Sequence, residues 1–172
     1  MMRDTMSHYL PNALLLFLSA LLLSGCGFQL RGSLPTLPEV MTDTYLQGDR
    51  NSRVYQESAS AIQSSGGRLV EQRTSASAVL ILHDERFARR NLSSDTRGRV
   101  NAYEHRLQLV FSLADNQGEM LAERQQVEIL REQRIDPDNV LAADQEQEIL
   151  RQEMRRQAIA QMLRRLQLIS RP

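Results

Sequence analysis

The chain has 172 residues, with 21 basic and 21 acidic side chains and a formal net charge of zero. That balance gives no net pull toward nucleic acid or anionic lipid and leaves any charged site to local clustering. Every basic residue is arginine, and the single cysteine, Cys26, excludes an internal disulfide, so the fold must rest on packing or on a partner.

The first residues carry one firm positive charge, Arg3, and an apolar run follows from Ala13 to Leu23. That run is far shorter than the roughly 20 residues a membrane-spanning helix needs. It ends in Leu23-Ser24-Gly25-Cys26, which resembles the lipobox of bacterial lipoproteins. The resemblance implies a signal peptide over residues 1–25, cleavage before Cys26, and a lipid on that cysteine that tethers the rest of the chain to a membrane outside the cytoplasm. Gly27 stands where aspartate is the usual inner-membrane retention signal, so the outer membrane is expected. Residues 26–39, broken by Pro35 and Pro38, read as a linker. The remaining residues, 40–172, are enough for one domain. Cys26-Gly27-Phe28-Gln29-Leu30-Arg31-Gly32 and the prolines after it are similar to the start of the LptE (rare lipoprotein B) family of lipopolysaccharide-assembly lipoproteins, and the order of elements that follows fits the same family.

Val40–Gln47, with Thr42, Thr44, Tyr45 and Leu46, predicts a strand that ends at Gly48-Asp49. Asn51 or Ser52 caps a helix that carries Val54, Ala61 and Ile62 on one side and stops at Gly66-Gly67. Gly67–Glu71 and Ala78–His83 follow as extended segments, and the run Val79-Leu80-Ile81-Leu82 marks a strand buried on both faces at the sheet centre. Between Tyr103 and Leu113, apolar odd positions alternate with polar even ones, the period of a half-buried strand. Asp115-Asn116-Gln117-Gly118 then supplies a tight reversal.

Glu119–Arg134 leaves two readings open, because its composition favours helix while Val127 and Ile129 alternate with Gln126 and Glu128 as in a strand. The preceding turn and the family resemblance select the strand. From Asp144 to Ile169 there is no glycine or proline, and Ala158, Ile159, Met162, Leu163, Leu166 and Ile169 form one stripe of a long helix. Arg151 and Arg155 fall near that stripe and read either as snorkelling side chains, the commoner case, or as part of a contact surface. Asn139-Val140-Leu141-Ala142, Glu148, Glu153-Met154 and Ala158 are similar to the family's closing helix. The sum is a two-layer α/β sandwich with a mainly antiparallel sheet of four or five strands and both helices on one face.

No constellation here resembles a catalytic site: a Gly-x-Ser-x-Gly elbow and a Cys-His pair are both missing from the sequence. His83 and His105 lie on different strands, and even if they met across the sheet two histidines alone make no zinc site. No catalytic residue, metal or cofactor is assigned. The one local cluster is Arg86, Arg89, Arg90, Arg97 and Arg99 around the loop Asn91–Gly98. It reads either as solvated strand ends that discourage edge pairing or as a phosphate-binding rim. The family resemblance adds weight to the second, in which Arg89, Arg90, Arg97 and Arg99 meet lipopolysaccharide phosphates, and both readings stay open. It also implies a non-enzymatic partner of the β-barrel LptD that sits within the barrel, supports its assembly and helps deliver lipopolysaccharide to the cell surface. The competing readings are an accessory lipoprotein of another envelope machine and a peptidoglycan-binding or hydrolytic lipoprotein.

Overall fold

The structure, a computed structural model, describes residues 37–169. The signal peptide assigned to residues 1–25, the lipidation site Cys26 and nearly all of the linker therefore lie outside the described residues. The sheet contains β1 (Asp43–Gln47), β2 (Arg68–Leu69), β3 (Ala78–Ser94), β4 (Val100–Ala114) and β5 (Met120–Arg134), in the order β2-β1-β3-β4-β5. β1 runs parallel to both β2 and β3, whereas β3, β4 and β5 form an antiparallel meander. Helices α1 (Arg53–Ser64) and α2 (Val140–Ile169) pack side by side against one face. The apolar run at Val79–Leu82 occupies the central strand, as its continuous hydrophobicity requires.

Local chemistry explains the punctuation. Ser52 caps α1, its hydroxyl accepting the Tyr55 N–H at 3.2 Å, and Gly66 (φ +90°) ends the helix in the left-handed conformation. At the β4–β5 reversal, Asp115 Oδ1 accepts the backbone N–H groups of Gln117, Gly118 and Glu119 at 2.9, 2.7 and 2.8 Å, and Gly118 takes φ +97°. The segment Glu119–Arg134 is a strand. Its helix-favouring residues are overruled by a partner, because β4 offers a full ladder and buries Ala122, Val127, Ile129 and Gln133 on one side.

Three boundaries differ from the sequence reading. Pro38–Met41 forms a 3-10 turn, with Met41 N–H donating to Pro38 O at 2.9 Å, so β1 starts at Asp43 and not at Val40. β3 does not stop at His83; pairing with β4 carries it to Ser94 and reduces the loop to a short turn. α2 begins one turn before Asp144, where Asn139 Oδ1 accepts the Ala142 N–H at 3.4 Å.

The core lies between the sheet and the helices. Leu107, Leu109, Phe111 and Leu113 of β4 meet Met154, Ala158, Ile159, Met162, Leu163 and Leu166 of α2, with Leu46, Ile62 and Leu80 beside them. Burial along α2 is uneven: among its described side chains, every buried one apart from Ala143 lies between Met154 and Leu166. Its N-terminal turns attach by polar contacts instead. Gln133 Nε2 donates to Ala143 O at 2.9 Å and to Glu146 Oε2 at 3.1 Å, and Arg89 donates to Gln147 Oε1 at 2.8 Å.

Candidate functional site

The β3–β4 hairpin carries the arginines singled out in the sequence. Its turn is organised by Asp95, whose Oδ1 accepts the Arg97 and Arg99 N–H groups, both at 2.9 Å, while Oδ2 takes Arg99 Nε at 2.9 Å. These bonds, chiefly the one from the Arg99 N–H, hold the Asp95 carboxyl below the usual carboxylate range. Arg99 also reaches Asp138 at 2.7 Å, joining the turn to the segment before α2.

Strand alternation separates the four candidates. Arg89 points to the helix side, where it lies 4.3 Å over the Tyr103 ring and bonds Gln147. Its neighbour Arg90 points to the uncovered face and grips Glu104, directly opposite on β4, with bonds of 2.7 and 3.0 Å. That contact lowers the Glu104 pKa below the ordinary carboxylate value. Arg97 has no guanidinium partner among the described residues. The geometry therefore places two arginines at the turn and one on each face behind it, so they do not form a single rim. Arg90, Arg89 and Arg99 keep 65%, 40% and 41% of their side chains exposed. Ion pairs this wet are screened by solvent and add little to stability, so an incoming polyanion can displace their present partners.

The middle of the face without helices is polar, although Val110 and the half-exposed Leu130, directly opposite Arg106, are apolar members of it. Arg106 stands 3.9 Å from Glu104 and 3.6 Å from Glu128, and Gln108 donates to Glu128 at 2.7 Å. Opposite charges alternate across the strands there, which suits contact with water.

The histidines do not meet. A bulge between Leu82 and Asp84 turns His83 to the uncovered face, where its Nε2 lies 2.6 Å from Ser112 Oγ. His105 is fully buried on the helix side, stacked on Phe87 with ring centroids 5.5 Å apart and bonded to Gln133 Oε1 at 2.8 Å. Among the described residues, no group of three or more His, Cys, Asp or Glu side chains is placed to hold a metal ion.

The snorkelling reading of Arg155 is corrected. Its side chain is only 5% exposed, and it donates to Glu85 Oε2 and Oε1 at 2.7 and 2.9 Å and to Glu57 Oε1 at 3.2 Å. One guanidinium thus ties α2 to β3 and α1, and the Glu85 bonds push it further toward its charged form. Arg151, one turn earlier, lies 5.1 Å over Phe87 with Nη2 3.8 Å from Glu85. The signal in the sequence was the position of Arg155 beside the apolar stripe, but its two acids come from distant segments.

The sequence matches the family model described as LptE, lipopolysaccharide-assembly, over residues 41–166. Among solved structures the chain is similar to lipoprotein B from Nitrosomonas europaea, with 24% identity, coverage of 80% of this chain and 88% of that one, and a TM-score of 0.67. It is also similar to rare lipoprotein B from Shewanella oneidensis, at 26% identity, 72% and 92% coverage and TM-score 0.65. A minor lipoprotein from Acinetobacter baumannii shares the fold at 17% identity, 74% and 92% coverage and TM-score 0.62. No curated protein sequence matches the chain.

Proposed function

Because this chain belongs to the LptE lipopolysaccharide-assembly family, we propose that it is a non-enzymatic outer-membrane lipoprotein that complexes with an LptD-type β-barrel, supports assembly of that barrel, binds lipopolysaccharide and helps deliver it to the cell-surface leaflet. The observation that carries the reading is the family match across residues 41–166. The uncovered, charge-alternating sheet face supports it, since a water-filled barrel lumen is polar. In this reading residues 1–25 are removed, Cys26 carries the lipid, residues 26–39 link it to the domain, and the tether raises the local concentration of the two partners. The hairpin arginines Arg89, Arg90, Arg97 and Arg99 meet lipid A phosphates, with Arg97 free to engage first.

Two experiments test this. Affinity purification of the lipoprotein from detergent-solubilised membranes should recover a large β-barrel; recovery of a different envelope machine instead would replace the reading. Replacing Arg89, Arg90, Arg97 and Arg99 together with glutamate should weaken lipopolysaccharide binding more than a matched reversal at the exposed Arg50, Arg73, Arg124 and Arg164. Equal losses at both places would mean a general charge effect and remove the hairpin from the site.

A further inference from the structure

On the outer side of the helix layer, α1 and α2 leave a groove of about 360 Å³ between them. Its walls are Gln56, Glu57, Ser60, Ala61 and Ser64 of α1 and Arg156, Ile159, Ala160 and Leu163 of α2. The small side chains of Ser60, Ala61, Ser64 and Ala160 do not reach far enough to fill it.

The chemistry of the walls limits what fits. Ser60 Oγ donates to Gln56 O at 3.0 Å and Ser64 Oγ to Ser60 O at 2.7 Å, so both hydroxyl protons are already spent within α1. A peptide lying here would find only the Gln56 amide and the Arg156 guanidinium as donors for its several carbonyls, which leaves most of them unsatisfied in an apolar cleft. An occupant without hydrogen-bonding groups along its length meets no such penalty. One end of the groove is different. Glu57 is held by Arg155 at 3.2 Å, whereas the exposed Arg156 forms no ion pair among the described residues. An apolar trough with one unpaired guanidinium at its end complements an alkyl chain with an anionic head, and its volume lies within the ~300–1,000 Å³ of ordinary ligand sites.

We propose that the α1–α2 groove receives one acyl chain of lipopolysaccharide, with Arg156 against a head-group phosphate. This rests on the reading of the chain as a lipopolysaccharide-binding protein and adds a contact remote from the hairpin.

The test uses the full-length lipoprotein in living cells, with a benzophenone side chain introduced at Ser64 or Ala160 and, as a control, at Gln126, exposed on the uncovered sheet face opposite Val110 and away from the hairpin arginines. Illumination should give a lipopolysaccharide adduct, attached through an acyl chain by mass spectrometry, from the two groove positions and not from Gln126. Arg156→Glu should lower that adduct about tenfold, as expected for losing one charge-assisted contact, and Arg156→Lys should largely preserve it. A groove adduct to phospholipid, to a barrel polypeptide or to a second copy of this chain would overturn the proposal. So would the lack of any groove adduct from a protein that still binds lipopolysaccharide, which leaves the functional reading standing. Loss of lipopolysaccharide binding by the unmodified protein would instead remove that reading itself.

Discussion

Replacing Arg155 with methionine asks what the buried ion cluster contributes. The substitution keeps most of the volume and strands two carboxylates, Glu85 with 10% and Glu57 with 23% of its side chain exposed. Breaking a buried pair by removing one partner typically costs ~3–5 kcal/mol, because a desolvated charge is left uncompensated. Arg151, 3.8 Å from Glu85, softens the loss at that carboxylate, whereas Glu57 keeps no cation. We therefore expect the lower half of the range, about 3 kcal/mol, a large part of the ~5–15 kcal/mol that holds most domains together. With a urea m-value of ~1–3 kcal/mol/M, the unfolding midpoint should fall by roughly 1.5 M. Adding Glu85→Gln to Arg155→Met should recover part of the stability, since one stranded charge is gone. The internal control is Arg68→Met, whose ion pair with Asp43 has a guanidinium 75% exposed and, being screened by water, should shift the unfolding midpoint little. If Arg155→Met loses no more than Arg68→Met, the cluster is not a desolvated ion pair and the argument fails.

Three further outcomes follow from single contacts. Ser52→Ala removes the α1 cap and should cost ~0.5–2 kcal/mol in urea unfolding, with Ser52→Gly milder. Gly67→Ala puts a Cβ against Leu37 and 2.8 Å from Ile62 Cγ2, so overpacking of ~1–3 kcal/mol should appear as a lowered Tm with native circular dichroism. Burial, with Arg124 nearby, lowers the His83 pKa in the folded chain below its unfolded value near 6.5. The unfolded chain then binds more protons, so this contribution to stability is present above about pH 6.5 and lost as pH falls through the folded value. His83→Gln should flatten that part of the stability–pH curve, and an unchanged slope would show that the histidine does not titrate differently on folding.

Much of the fold could be read from the residues because the strongest signals were local. Alternation from Tyr103 to Leu113 gave β4, the Asp115–Gly118 turn gave the hairpin, and the stripe from Ala158 to Leu166 gave the packed half of α2. The extension of β3 to Ser94 was hidden because Asp84–Ser94 is polar, and only its pairing with β4 makes it a strand. The arginine cluster was visible as composition but not as geometry, since adjacent strand residues such as Arg89 and Arg90 face opposite ways. Arg155 was misread for a related reason: Glu57 and Glu85 are far away in sequence, and no local pattern announces that they converge.

The uneven attachment of α2 gives one helix two tiers of cooperativity. Its C-terminal turns can open only by exposing Met154, Ile159, Met162 and Leu166, so their amides should exchange with solvent through global unfolding. The N-terminal turns are released by breaking a few polar contacts, and their amides should exchange through small fluctuations that leave the core intact. Arg89 and Arg99 tie the hairpin to this looser region through Gln147 and Asp138. A ligand that captures those arginines therefore acts on the least protected stretch of backbone, where rearrangement leaves the packed layer undisturbed.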